Sequence, residues 1–161
     1  MLGKPKNVIL MNSDFNELLQ TFASQEVRYL VVGGYAAMQY SQPRYAKDLE
    51  LWLEASTENA SRVMQSFKEF GLPLLNVTPA DFASESLQYM IGRAPVPFDF
   101  LTSLPGLDFA SCWERRLTDE SEGFPVFYLS KPDIIQAKPL AGRPQDLHDL
   151  EEIRRAGEGH P

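Results

Sequence analysis

The chain has 161 residues, 43% hydrophobic and 23% charged, the make-up of an ordinary globular domain with room for one substantial core and too little for two. A formal charge of −7 argues against a surface that grips duplex DNA without preference, because such binding trades Lys and Arg for phosphate counterions; no duplex DNA partner is expected, and an RNA held by a local basic patch stays open. No apolar run approaches the roughly 20 residues that span a bilayer, the start Met1-Leu2-Gly3-Lys4-Pro5-Lys6 lacks a secretory apolar stretch, and the lone Cys112 excludes an internal disulfide, so a cytoplasmic protein with no membrane partner is expected.

A single domain over 1–161 is expected, with frayed termini at about 1–11 and 157–161. Asn12, Ser13 and Asp14 offer capping side chains, and Phe15, Leu18, Leu19 and Phe22 follow at helical spacing, which predicts a helix over about 14–24. Val27 to Val32 is a β-branched and aromatic run, read as the first core strand. Gly33-Gly34 closes it, and a short helix over 34–40 is expected before Ser41-Gln42-Pro43. If Asp48 to Leu53 is a strand, Asp48 and Glu50 share one face while Leu49, Leu51 and Leu53 enter the core from the other. Thr57 is the expected cap of a helix whose Ala60, Val63, Met64, Phe67 and Phe70 form one stripe ending at Gly71.

Further along, Leu87 to Ile91 and Val96 to Leu101 bracket Gly92-Arg93-Ala94-Pro95 as a hairpin, with Asp99 the single charge in its second arm. Leu107 to Arg116 reads as a helix that buries Cys112 as a structural thiol, and Phe109, Trp113 and Leu117 recur at four-residue spacing. Pro125 to Leu129 is the last expected strand, and Lys131 to Leu140 and Pro144 to Ala156 are two C-terminal helices separated by Gly142. Strands interleaved with helices imply an α/β or α+β fold, a central sheet covered chiefly on one side by helices.

The residues that carry chemistry are Asp48, Glu50 and Asp99. Three carboxylates on neighbouring strands suit a hard divalent cation such as Mg²⁺, which prefers oxygen ligands and bridges substrate phosphates. Taken one at a time each feature has a plainer reading: a Gly-Gly pair is a turn, Asp-x-Glu a solvated strand face, and a lone Asp99 a cap or ion pair. Their joint order is what points to a site.

Val32-Gly33-Gly34, the thirteen-residue spacer Tyr35 to Lys47, Asp48-Leu49-Glu50 and the later Asp99 together resemble the signature of the nucleotidyltransferase superfamily that includes DNA polymerase beta. The longer stretches 29–36 and 43–48, with Ala141-Gly142-Arg143-Pro144-Gln145-Asp146-Leu147, are similar to its small bacterial branch related to abortive-infection toxins, over about residues 25–155. The resemblance implies a nucleotidyltransferase fold with a mixed central sheet and C-terminal helices. It further implies Mg²⁺ or Mn²⁺ as cofactor, held by the catalytic Asp48, Glu50 and Asp99, and an NTP whose triphosphate lies on the amides of Gly33 and Gly34. The activity implied is transfer of an NMP to a hydroxyl acceptor. That acceptor is the 3′ end of a tRNA or another RNA if the chain is a toxin with a cognate antitoxin, and a small molecule or a protein in the alternatives. One position departs from the pattern: Glu50 stands where close relatives more often carry Asp, and its extra methylene makes a nucleotide-binding or partner-binding protein without turnover the non-enzymatic alternative.

Arg44 and Lys47 lie just before the carboxylate strand and either reach a phosphate or belong to a solvated loop. Lys138 and Arg143 are candidates to close over the triphosphate or the second substrate, although Arg143 before Pro144 is also a helix start. Asp146 and Asp149 read as salt-bridging, and His148 and His160 lack a partner at metal-binding spacing. Strand parity puts Trp52 on the carboxylate face, either as an aromatic wall beside a base or as core.

Overall fold

Tyr29-Leu30-Val31-Val32 is buried at all four positions, which requires a strand with partners on both edges and cover on both faces. This is β1 (Tyr29–Val32), near the centre of a six-stranded mixed sheet in the computed structural model, which describes residues 13–42, 46, 48–92, 98–141, 148 and 151–155, with backbone alone at 138–141. The other strands are β2 (Leu49–Leu53), β3 (Gln88–Ile91), β4 (Phe98–Leu101), β5 (Leu117–Asp119) and β6 (Val126–Tyr128), in the order β3-β4-β2-β1-β6-β5. β2 runs antiparallel to β1 and parallel to β4, and β6 runs parallel to β1. The helices are α1 (Ser13–Ser24), α2 (Gly33–Ala37), α3 (Thr57–Phe70), α4 (Pro79–Ala83), α5 (Phe109–Glu114) and α6 (Lys131–Ala141); residues 151–155 are also helical and bury Ile153.

Register decides which side chains share a face. Leu49, Leu51 and Leu53 align with Phe98 and Phe100 on β4 and with Val31 and Tyr29 on β1, and all are buried. Helices α1 and α3 cover this face through ring contacts of Phe15 with Phe98 (5.5 Å), Phe22 with Tyr29 (5.5 Å) and Phe67 with Phe100 (5.0 Å). Each such fully buried aromatic contributes roughly 1.5–3 kcal/mol of transfer free energy. The opposite face carries Glu50, Trp52 and Asp99. Helix α5 covers its far end, where Phe109 meets Trp52 edge to face at 5.2 Å.

Several expectations shift. The cap of α3 is Ser56, whose hydroxyl accepts the Asn59 amide at 3.1 Å, and Thr57 is the first helical residue; Gly71 ends the helix in the left-handed conformation (φ 85°) as the pattern requires. Buried Asn59 then ties β1 to β2: it accepts from the Arg28 amide and donates to the carbonyls of Arg28 and Glu54. Helix α2 stops at Ala37, and the helix expected over 107–116 contracts to Phe109–Glu114, so Leu117 opens β5 instead of completing a helical stripe. Strand β5 and helix α4 escape a periodicity search because they are three and five residues long. The expected termini, 1–11 and 157–161, lie outside the described residues. Among the described residues no helix is long and apolar enough to cross a membrane.

Candidate active site

Strand pairing lines up Met90, Asp99, Glu50 and Val32 in one row across β3, β4, β2 and β1. Glu50 and Asp99 are therefore side by side on adjacent parallel strands, pointing to the same face. Asp48 precedes β2 by one residue and is half-buried, as is Glu50. Asp99 is only 5% exposed, and Gln88 Nε2 donates to its Oδ2 at 3.3 Å from one step along β3. The row opens to solvent at β3, where Met90 is 57% exposed.

At the other end of the row the chain leaves β1 through Gly33, which has φ +68° and starts α2. A side chain there would meet two obstacles. The left-handed conformation disfavours it, and a Cβ built on Gly33 falls 2.6 Å from Glu50 Cδ and 3.1 Å from Glu50 Oε1. The Glu50 carboxylate thus rests on the bare face of the glycine turn. Gly34 continues into α2, which is held down by buried Ala36 and Ala37 and by Tyr35 against Phe15 (5.4 Å, edge to face).

Helix α6 packs against α2 and is fixed at its start by a charged cluster. Ser130 donates to Asp133 Oδ2 at 2.8 Å and accepts the Asp133 amide, while Arg115 grips both Asp133 oxygens, Nε to Oδ2 at 3.1 Å and Nη2 to Oδ1 at 2.9 Å. Burial pushes the Asp133 carboxyl up, but Arg115 and Ser130 together outweigh it and hold it below the ordinary carboxylate range. Burial, then the Asp133 charge, pushes the Cys112 thiol up to about 11, which leaves it protonated and inert, as expected of a structural cysteine. Burial and Asp133 likewise raise Tyr40 to about 12, so its hydroxyl stays a donor, to the Leu129 carbonyl at 3.1 Å.

The fold brings Gly33, Gly34, Glu50 and Asp99 to one place, with Asp48 at its edge. Lys138 lies on α6 beside α2, its side chain outside the described residues; Arg44, Lys47, Arg143, Asp146, Asp149 and His160 also lie outside them, and His148 is helical and exposed. Trp52 is buried against Phe109, so it is core, and no wall open to a base. Two neighbours of the carboxylates were not singled out in the sequence: Gln88 and Met90. Their alternation with Tyr89 and Ile91, polar or exposed against half-buried, is the signal that places them on the carboxylate face.

No protein-family model and no curated protein sequence matches this chain. Solved structures do. The lincosamide antibiotic adenylyltransferase LnuA, bound to lincomycin, aligns over 90% of this chain and 97% of its own at 13% identity and a TM-score of 0.57. A protein from Thermotoga maritima provisionally termed a nucleotidyltransferase aligns over 94% and 97% at 15% identity (TM-score 0.56). An antigenic nucleotidyltransferase-like protein from Paracoccidioides brasiliensis aligns over 94% and 74% at 18% identity (TM-score 0.54). The fold of this chain is that of the nucleotidyltransferases.

Proposed function

We propose that this chain is a metal-dependent nucleotidyltransferase that moves a nucleoside monophosphate from an NTP to a hydroxyl acceptor. The observation that carries this reading is the pairing of Glu50 with Asp99 in strand register, against the Gly33 turn, on this fold. Among the described residues no three Asp, Glu, His or Cys converge into a ready-made cage. The reading therefore rests on Glu50 and Asp99, since Mg²⁺ is usually held by one or two carboxylates and completes its shell with water and substrate phosphates.

In this reading the backbone of Gly33 and Gly34 receives the triphosphate, and Arg44, Lys47 and Lys138 supply positive charge around it. Asp48 and Glu50 would hold one cation and, with Asp99, a second; such cations would neutralise phosphate charge and lower the pKa of the acceptor hydroxyl. The hydroxyl oxygen attacks the α phosphorus in line, its proton passes to Asp99, and the bond to the bridging oxygen breaks to release pyrophosphate. Gln88 donates to the Asp99 carboxylate at 3.3 Å.

The resemblance to toxin relatives makes the 3′ end of a tRNA the first acceptor, with a cognate antitoxin as partner. A second reading, transfer to a small-molecule hydroxyl, is favoured by the alignment with a lincosamide adenylyltransferase over nearly its whole length. Incubation with each α-labelled NTP, Mg²⁺ and separately total RNA, a protein extract, lincosamides and aminoglycosides tests both. Label should enter one acceptor class with stoichiometric pyrophosphate, and Asp48→Ala should lower that rate roughly a hundredfold or more. NTP binding with no label transferred anywhere would favour the nucleotide-binding alternative.

A further inference from the structure

We propose that Gln88 determines which acceptors this chain modifies: it selects molecules that carry a second hydroxyl or an ammonium group on the carbon next to the modified hydroxyl, a 1,2-diol or a 1,2-amino alcohol. The inference rests on the reading of Asp99 as the group that takes the acceptor's proton. Gln88 Nε2 donates to Asp99 Oδ2 at 3.3 Å. A carboxylate offers only acceptors, so the amide turns its NH2 toward Asp99, and the carbonyl oxygen on the other arm of the same planar group is turned away from it. Gln88 is exposed on an edge strand, so that oxygen faces whatever comes to Asp99 from solvent.

Register decides from which side the acceptor comes. In the row Met90, Asp99, Glu50, Val32 the glycine turn lies beyond Glu50, on the β1 side of Asp99, and β3 lies on the other side. With the triphosphate on the turn, the acceptor reaches Asp99 over β3, where Gln88 and Met90 share the face of Asp99 and Met90 is 57% exposed. Its reacting hydroxyl then meets two hydrogen-bond acceptors side by side, the Asp99 carboxylate and the Gln88 carbonyl oxygen. One hydroxyl has a single proton to donate and satisfies only one of them. A donor on the adjacent carbon satisfies the other. The 3′-terminal ribose of an RNA and the rings of sugar-based small molecules both supply this pair of groups, so the same recognition holds for either source of acceptor.

Transfer assays on the acceptor class that takes label test this, once the labelled hydroxyl has been mapped by mass spectrometry. Wild type, Gln88→Met and Gln88→Ala are each given the acceptor and its congener without the neighbouring group: for RNA, oligonucleotides ending in ribose or in 2′-deoxyribose, and for a sugar, its monodeoxy or deamino congener. Wild type should use the intact acceptor with a kcat/KM about tenfold higher, the worth of one hydrogen bond. Gln88→Met keeps the length and loses the amide, so it should use both alike with its KM for the NTP unchanged; Gln88→Ala answers the same question if that variant does not fold. If Gln88 only supports Asp99, its loss lowers turnover of both acceptors equally and leaves their ratio at the wild-type value, which would overturn the inference. Equal use of both by wild type, or label on a hydroxyl with no such neighbour, would overturn it as well and leave nucleotidyl transfer standing. Absence of transfer to any acceptor would overturn the reading of Asp99 and this inference with it.

Discussion

Gly33 and Glu50 constrain each other across the β1–β2 pair. The glycine is needed twice, for its φ of +68° and for the carboxylate that lies against it, whereas Gly34 continues within α2 outside the left-handed conformation. Gly33→Ala should therefore destabilise the fold by about 1–2 kcal/mol, the ordinary cost of a left-handed non-glycine residue, with a further share if Glu50 cannot swing aside. Gly34→Ala should stay within about 1 kcal/mol of wild type, since an alanine is at home in a helix. Urea unfolding midpoints of the two variants check the contrast; equal losses would mean that the turn's strain is shared between both glycines.

At the scale of elements, two things hold α2 and α6 in place: the apolar contacts under α2 and the Arg115–Asp133–Ser130 cluster at the start of α6. Asp133→Asn should cost roughly 1–3 kcal/mol at neutral pH, because it weakens charged hydrogen bonds in a buried place. The sign with pH follows from the depressed folded pKa. The contribution is fully present above the unfolded value, near 3.9, and is lost as pH falls through the lower folded value, so the gap between wild type and Asp133→Asn should close below about pH 4. A gap that does not narrow at all as pH falls below 4 would mean the variant acts through packing and not through charge. The sequence carried part of this in Ser130-Lys131-Pro132-Asp133, which has the spacing of a capping box, but Arg115 comes from a different helix and no local pattern points to it. The same division runs through the site. The order Gly33-Gly34, Asp48, Glu50, Asp99 and the hairpin that carries Asp99 were legible because turns and period-two alternation are local. The contact of Glu50 with Gly33 and that of Gln88 with Asp99 were not, because they follow from the register of β2 on β1 and of β3 on β4, which tertiary packing sets. The end of α5 at Glu114 was missed for the same reason: Leu117 pairs with Tyr128 on an edge strand too short to show a period of its own.

Over the whole molecule, the aromatic core under α1 and α3 lies on one face of the sheet and the carboxylates on the other, beside the buried Trp52 and Val32 of their own face. The leucine and phenylalanine face under α1 and α3 is fully buried, and the carboxylate row lies on the other face at the end that α5 leaves open. Substitutions of the carboxylates should therefore change binding and turnover while leaving the core contacts of α1 and α3 in place. Ligand binding, conversely, should report on stability, because any molecule that binds only the folded state adds RT ln(1 + [L]/Kd), about 2.7 kcal/mol at a hundredfold excess over Kd. For a chain of this size each kcal/mol moves the unfolding midpoint by about 2–4 °C, so a saturating non-reactive NTP analogue with Mg²⁺ should raise Tm by about 5–10 °C. The analogue alone in EDTA should raise it much less, since the carboxylates then repel the phosphates. Asp48→Ala should unfold near the wild-type temperature without ligand and lose most of the Mg²⁺-dependent increase with it. A thermal scan of both proteins under the three conditions measures this directly. An Asp48→Ala protein that keeps the full increase would remove Asp48 from the proposed metal ligands, and one that unfolds far below wild type without ligand would show that the carboxylate face is not separable from the core.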